Sequence, residues 1–154
     1  MTPSSLIRAE LQQFVGYETV PQTIEIDKSM IRRFVEAVGD PNPLWQDEAK
    51  DHLSRYDGIV APPSLVCAAL MTGTTRPLDV IEHLLPARIL DGGAEWEVVR
   101  PIRLGEILTV VNRLADLTER QGRYGPMLMV SWEATWRDER QEVVARALST
   151  TIHY

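Results

Sequence analysis

The sequence predicts an α+β domain in which an antiparallel sheet wraps around a central buried helix. Three features lead to this fold class. Apolar residues recur at helical spacing in the first half of the chain, whereas long alternating strands fill the part after about residue 86. Between them, residues 65–71 form a short segment that is apolar on every side. A helix without a polar face must be enclosed, and strands with one apolar face can enclose it.

Two short helices and one strand are predicted at the start of the chain. Ser4 or Ser5 can cap the first helix, which carries Leu6, Ile7, Leu11 and Phe14 on one face. A β-like run follows at 23–26. Asp27 then caps the second helix, and Gly39 ends it, in the position where a left-handed glycine is common. The apolar residues of this helix are Met30, Ile31, Phe34, Val35 and Val38.

The apolar helix at 65–71 is the predicted centre of the fold. Residues 47–56 before it are polar and compatible with a helix. Ser64 is placed to cap the apolar helix. Because this helix offers no polar stripe to solvent, we expect the later strands to surround it.

Four strands are predicted after residue 86. The first runs over 94–104, with Pro101 marking an edge or a bulge, and the second over 107–117. The third spans 128–136 and the fourth 142–152, with turns at 120–125 and 137–141. In the third, Leu128, Val130, Trp132, Ala134 and Trp136 alternate with polar and smaller residues. Long antiparallel strands around one buried helix describe a hot-dog fold, which we expect to span residues 1–154 as one domain.

Composition narrows the classes of function. The formal net charge is −6, from 16 basic and 22 acidic residues without a basic cluster, which argues against nucleic acid or an anionic membrane as partner. The single cysteine, Cys67, excludes an internal disulfide and fits a reducing compartment. No signal peptide is visible at the N-terminus, and the longest mostly apolar run, 59–71, is too short to span a bilayer. We therefore expect a cytoplasmic protein.

One motif points to chemistry: Gly39-Asp40-Pro41-Asn42-Pro43-Leu44-Trp45. It resembles the active-site signature of the MaoC-like (R)-specific enoyl-thioester hydratases and dehydratases, in which an Asp and a His stand five positions apart. Trp45 occupies the position of the His. An indole has no basic nitrogen and only donates through its N–H, so Trp45 cannot exchange protons near neutral pH.

The resemblance extends along nearly the whole chain. It includes the segment 58–63, the Gly92-Gly93 pair before a strand, the corner 100–106 and the closing strand around 144–146, in the order of the N-terminal-type MaoC dehydratase domain. Complete members add or remove water across an enoyl thioester with their Asp and His. The resemblance implies that a backbone N–H at the start of the buried helix polarises the thioester carbonyl.

The resemblance assigns site residues to this chain. Asp40 takes the catalytic position as a working or vestigial base. Because its proton partner is missing, the sequence slightly favours the alternative, a loop Asp that caps backbone amides. The substrate-binding set it implies is Asn42, Trp45, Pro62, Pro63, Ser64 and Leu65. Pro62-Pro63 lies where catalytic members place a glycine donor, and proline has no N–H. The amides of Ser64, Leu65 and Val66 remain as candidate donors.

Other reactive residues have plainer explanations. His52 is the nearest substitute base, but it lies in a polar, solvated stretch. His83 and His153 lack a ligand pattern, and no metal spacing exists, so we expect no metal and no cofactor. Cys67 suits a buried small hydrophobe, and Ser64 lacks the context of a nucleophile. Three arginines are candidates to meet a coenzyme A phosphate: Arg88, Arg100 and Arg103.

The resemblance implies a subunit of a hydratase or dehydratase system that acts on coenzyme A or carrier-protein thioesters. Without the His, this chain is expected to be the non-catalytic or acyl-binding partner of a catalytic MaoC-like chain, as a homodimer or a heteromer with continuous sheets. Two alternatives stay open. One is a self-sufficient hydratase or thioesterase that uses Asp40, and the other is a non-enzymatic acyl-thioester-binding protein.

Overall fold

A single five-stranded antiparallel sheet dominates the computed structural model, which describes residues 5–45, 56, 58–69, 77–123 and 125–154. The strands are β1 (Gln22–Glu25), β2 (Ile89–Val98), β3 (Ile107–Gly122), β4 (Gly125–Arg137) and β5 (Val143–His153), in the order β1-β3-β4-β5-β2. The helices are α1 (Ala9–Gln12), α2 (Lys28–Val38) and α3 (Leu65–Ala69). Short 3₁₀ turns cover Pro43–Trp45, Pro77–Val80 and Glu82–Leu84. The predicted hot-dog fold is confirmed.

The alternation of β4 sets the two faces of the sheet. Its predicted apolar set is buried throughout, and the intervening residues are half-buried. The buried face divides into two clusters. Ala134 and Trp136 pack with residues of α2 and α3 in the first cluster, whereas Leu128, Val130 and Trp132 pack with Leu11 and Ile81 in the second. The first cluster therefore lies at the end of the sheet that holds α3, and the second at the other end.

The buried helix α3 lies in the first cluster, as predicted. Leu65 and Val66 are almost fully buried, and Cys67 is half-buried against the same cluster. The predicted helix extends to residue 71, and its last two residues lie outside the described ranges. The polar stretch 47–56 also lies outside them, except for Tyr56.

The helix ends test the capping predictions. For α2 they are confirmed: the Asp27 carboxylate accepts from the amides of Ser29 and Met30, and Gly39 follows the last helical residue with φ 68°. For α1 the predicted serine cap is wrong, because the helix begins at Ala9 and its N-cap residue is Arg8. The Ser5 hydroxyl donates instead to the Glu119 carboxylate on β3. A tertiary hydrogen bond thus replaces the local cap.

Strands β2 and β3 differ most from their predicted bounds. β2 begins at Ile89 and ends at Val98, so residues 99–104 leave the strand before Pro101. The Gly92-Gly93 pair lies inside β2 at a bulge rather than before it. A side chain at Gly92 would meet the Thr150 carbonyl oxygen at 2.9 Å, which explains the absence of a Cβ there. β3 continues to Gly122, which pairs with Gly125, so the turn is shorter than predicted.

A guanidinium clamp closes the α3 end of the sheet. Arg100 donates to both carboxylate oxygens of Glu106 at 2.9 Å and to Asp138 at 2.9 Å. The Asp138 carboxylate also accepts from the amides of Arg140 and Glu142. Burial opposes the charged form of Asp138, but the bonds from Arg100 and these amides outweigh it and lower the pKa of the carboxyl. The clamp ties the β2–β3 connection to the β4–β5 turn.

Candidate functional site

The Asp40–Trp45 loop is built by the end of α2 and two side-chain turns. The amide of Asp40 donates to the Val35 carbonyl at 3.2 Å and so continues the helix cap beyond Gly39. The Asp40 Oδ1 atom accepts from the Asn42 amide at 3.0 Å. In the same way, Asn42 Oδ1 accepts from the Leu44 amide at 3.0 Å. Both are Asx turns, which fix a loop that already contains two prolines.

The decisive contact of this loop joins the two ends of the motif. Trp45 Nε1 donates to Asp40 Oδ2 at 2.7 Å. The indole therefore occupies the place next to the carboxylate that the resemblance assigns to an imidazole. Its ring also packs against the first core cluster. Trp45 thus packs against the core and also holds the carboxylate.

This geometry limits the chemistry of Asp40. Both carboxylate oxygens accept a hydrogen bond from within the loop, one from a backbone amide and one from an indole. An indole N–H does not leave as a proton near neutral pH, and its nitrogen accepts none. The pair therefore cannot pass a proton between its members, which is the function of an Asp–His pair in acid–base catalysis.

The start of α3 carries the remaining substrate-binding candidates. Pro62 is buried and Pro63 and Ser64 are exposed. The Leu65 amide donates to the Pro62 carbonyl at 2.9 Å, so one of the three candidate donors is already committed within the turn. α2 contacts α3, and residues of both helices share the first core cluster with Trp45. The structure therefore brings the two halves of the predicted site to the same end of the fold.

The other candidates fall away from this site or outside the description. Burial raises the pKa of the Cys67 thiol, which keeps it protonated and unreactive. Arg100 is engaged in the clamp, whereas Arg103 is exposed and forms an isolated β-bridge with Val60. His153 is buried at the far end of β5, where Nε2 lies 3.0 Å from the Thr151 hydroxyl. His52 lies outside the described residues.

The described residues contain neither a metal-binding cluster nor a membrane-spanning helix. No group of three His, Cys, Asp or Glu side chains in that part of the chain is arranged to hold a metal ion. None of its helices is long and apolar enough to cross a membrane.

One cleft was missed by the sequence-based prediction. It has a volume of about 650 Å³ and is lined mainly by apolar residues together with Arg88 and Arg123. Its walls come from segments far apart in the chain, so no local motif could have predicted it. Arg88 alone was a candidate for an anionic ligand.

The fold and the Asp40–Trp45 loop together define a MaoC-like hot-dog domain. The chain belongs to the family described as FAS1-like, dehydratase domain region, which matches residues 13–147.

Comparisons with individual proteins agree with this assignment. The UPF0336 protein of Streptomyces avermitilis is 29% identical over 92% of this chain and 93% of its own length. The probable enoyl-CoA hydratase alpha subunit of Thermomonospora curvata is 30% identical over 78% of this chain, which corresponds to 42% of that protein. A chain in the crystal structure of the ChsH1-ChsH2 complex from Mycobacterium tuberculosis has the same fold, with a TM-score of 0.77, 22% identity and coverage of 90% of this chain and 84% of that chain.

Proposed function

We propose that this chain is the non-catalytic subunit of a heteromeric MaoC-like hydratase or dehydratase that acts on acyl thioesters. The observation that carries the proposal is the 2.7 Å bond from Trp45 Nε1 to Asp40 Oδ2. This bond places an indole beside the carboxylate, where a catalytic acid–base pair would have a basic imidazole. A partner chain with an intact Asp–His pair would supply the proton transfer, and this chain would supply sheet and acyl-binding surface.

Names among the similar proteins support a partnered role. One relative is named an alpha subunit of an enoyl-CoA hydratase, and a chain of similar fold belongs to a two-protein complex. The thioester carrier of this chain, coenzyme A or a carrier protein, is left open by the proposal.

The free edge of β2 is the proposed contact for the partner. β2 is ten residues long, whereas β1 at the opposite edge has four. Ile89, Leu90 and Val99 along this edge are 51%, 53% and 52% exposed. A long exposed edge with apolar residues at both ends needs a cover to prevent uncontrolled pairing. Pairing two such edges would make the two sheets continuous.

Co-expression tests the proposal. The chain is purified alone and together with a MaoC-like chain that carries an intact Asp–His pair, the neighbouring reading frame being the first choice. Hydration of crotonyl-CoA and longer enoyl-CoA is then measured. We expect background activity alone, a stable heteromer, and higher activity in the heteromer than in the partner by itself. Asp40→Asn should leave the turnover of the heteromer unchanged, whereas the same change in the partner's Asp should abolish it.

Two outcomes would contradict the proposal in different ways. Ordinary enzymatic turnover by the isolated chain that Asp40→Asn abolishes would make Asp40 a working base with another proton partner, and His52 would be the first residue to mutate. A partner that is fully active alone and forms no complex would favour the acyl-thioester-binding alternative, which a direct binding measurement with acyl-CoA then tests.

A further inference from the structure

Two backbone hydrogen bonds join the corner at 100–106 to the segment that leads into α3. The Ala61 amide donates to the Ile102 carbonyl at 2.7 Å, and the Leu104 amide donates to the Ile59 carbonyl at 3.0 Å. Ile59, Ala61 and Ile102 belong to the first core cluster, and Leu104 packs against it. The corner therefore fixes the backbone just before α3 from within the core.

The turn between these two bonds and α3 contains two prolines. Pro62 and Pro63 have no N–H and cannot donate. The Leu65 amide donates to the Pro62 carbonyl at 2.9 Å, a bond that closes the turn on itself. The placement of Ser64 and of the first amides of α3 therefore depends on the bond from Ala61 to the corner.

The same corner is bonded to the start of α2. The Gly105 amide donates to the Ile26 carbonyl at 2.9 Å, and the Ile26 amide donates to the Glu106 carbonyl at 2.8 Å. Ile26 directly precedes Asp27, the N-cap of α2. The far end of α2 leads into the Asp40–Trp45 loop. The corner thus joins the two elements that carry the two halves of the candidate site.

Arg100 closes this corner. Its Nη1 atom donates to the Pro101 carbonyl at 3.0 Å and to both carboxylate oxygens of Glu106 at 2.9 Å, so the first and last residues of the corner are joined. Its Nη2 atom donates to Asp138 at 2.9 Å, which attaches the corner to the β4–β5 turn. The exposed fractions of the three charged side chains are 32%, 21% and 15%. These charged bonds are therefore partly shielded from water and stronger than ordinary surface pairs.

We propose that Arg100 is a positioning residue for the binding of an acyl thioester. By holding the corner closed, it sets where the turn at 62–64 and the first amides of α3 lie relative to α2 and the Asp40–Trp45 loop. Its effect passes through the corner and the bonds to Ile59 and Ala61 rather than through contact with the ligand. The inference rests on the proposed function, because that function gives this chain the acyl-binding surface.

Amide hydrogen exchange of the isolated chain tests the first step, from Arg100 to the segment before α3. In Arg100→Gln, we expect exchange at Ala61 and Leu104 to rise by about 10- to 100-fold relative to amides between β3 and β4, which report global unfolding. Glu106→Gln retains a side-chain oxygen as acceptor and should act in the same direction with a smaller effect. Unchanged exchange at both amides in both variants would overturn the proposal, and thermal melting monitors folding.

Steady-state kinetics of the heteromer with crotonyl-CoA test the second step, from this segment to the ligand. This chain supplies binding and the partner's Asp–His pair supplies proton transfer. Arg100→Gln should therefore raise KM about tenfold and leave kcat within about twofold of wild type. A mere loss of folded heteromer would lower the apparent kcat instead. Arg100→Gln combined with Glu106→Gln should match Arg100→Gln alone, since both changes remove the same bond.

Arg113→Gln is the matched control. Arg113 is another half-exposed arginine in an ion pair, but its partner Glu133 lies on β4 and the pair joins β3 to β4. The control should leave KM and the exchange at Ala61 unchanged.

The outcomes separate this inference from the proposed function. An active heteromer in which Arg100→Gln leaves KM unchanged would overturn the positioning role and retain the proposed function. If no active heteromer forms, the dissociation constant of the isolated chain for butyryl-CoA replaces KM. A rise of about tenfold in Arg100→Gln would then support the positioning role in an acyl-thioester-binding protein and contradict the heteromer. An isolated chain that binds no butyryl-CoA and forms no active heteromer would overturn both.

Discussion

At the scale of single residues, Trp45 makes a hydrogen bond to Asp40 but cannot exchange a proton with it. An imidazole in this place can accept and release a proton, whereas the Trp45 indole can only donate its hydrogen bond. Because Asn42 occupies the other oxygen of Asp40, the carboxylate becomes part of the loop framework. Asp40 and Trp45 are thus linked in one hydrogen-bonded unit of the loop.

The strength of this unit can be measured with a double-mutant cycle of Trp45→Phe, Asp40→Ala and both together. We expect a coupling energy of about 1–2 kcal/mol in the free energy of unfolding, because a half-buried charged hydrogen bond is lost in either single variant. Urea denaturation of the four proteins gives the value. Additive effects would mean that the indole stabilises the fold by packing alone.

On the proposed function, substitutions at positions 45 and 63 should restore part of the hydratase activity. General acid–base groups contribute about 10²–10⁴-fold in rate, and one oxyanion donor contributes a further ~10²–10³-fold. We therefore expect Trp45→His alone to gain little hydratase activity, since Pro63 still lacks an N–H. Trp45→His with Pro63→Gly should exceed either single variant in enoyl-CoA hydration. Pro63→Gly alone is the control. If its hydration activity equals that of the double variant, the missing amide at position 63 limits activity and the residue at position 45 does not.

At this scale, the sequence carries information where residues close in the chain are in contact. The spacing of five residues places Asp40 and Trp45 side by side because a glycine cap, two Asx turns and two prolines leave the loop few conformations. The cleft that is lined by Arg88 and Arg123 could not be predicted in the same way. Leu6, Arg88, Arg123 and Tyr154 meet only after the whole sheet has formed.

At the scale of the elements, the predictions failed where tertiary contacts replaced local signals. The Asp27 cap of α2 was predictable because its partners are two and three residues away. The Ser5 hydroxyl bonds to Glu119, whose strand lies far along the chain. Likewise, Gly92-Gly93 resembles a turn, but pairing with β5 holds it inside β2. Strand formation depends on such neighbours more than on intrinsic preference.

His153, at the end of β5, should make the free energy of unfolding depend on pH. Burial lowers the pKa of the His153 imidazole below its ordinary value of 6.5, and the bond to the Pro86 carbonyl offsets only part of this. The unfolded chain therefore takes up the proton first, and stability is lost as the pH falls from about 6.5 through the lower folded value. His153→Gln should make the free energy of unfolding, obtained from unfolding curves between pH 7 and 5, less dependent on pH.

His83→Gln is the matched control for this effect, because His83 is exposed on the Glu82–Leu84 turn. It should leave the pH dependence of wild type unchanged. An equally steep pH dependence in His153→Gln would show that groups other than His153 dominate this range.

At the scale of the whole molecule, strand order leaves the chain with two unequal edges. The order β1-β3-β4-β5-β2 puts a strand of four residues at one edge and a strand of ten at the other. The sequence indicated an antiparallel sheet, but this order depends on long-range pairing such as β1 with β3. Only the order identifies β2 as the long edge of the sheet, to which the proposed function assigns the partner.

Lysines placed along this edge test its role as an interface. The double variant Ile89→Lys and Val99→Lys replaces two half-exposed apolar residues that flank the β2 edge. We expect the dissociation constant of the dimer or heteromer to rise at least about tenfold, because buried charges without partners oppose association. The melting temperature of the monomer should change little. Analytical ultracentrifugation measures the first effect and calorimetry the second.

Val20→Lys, at a residue that is 77% exposed before the short edge strand β1, is the control. If Val20→Lys dissociates the assembly and the β2 variant does not, the partner binds at the β1 edge.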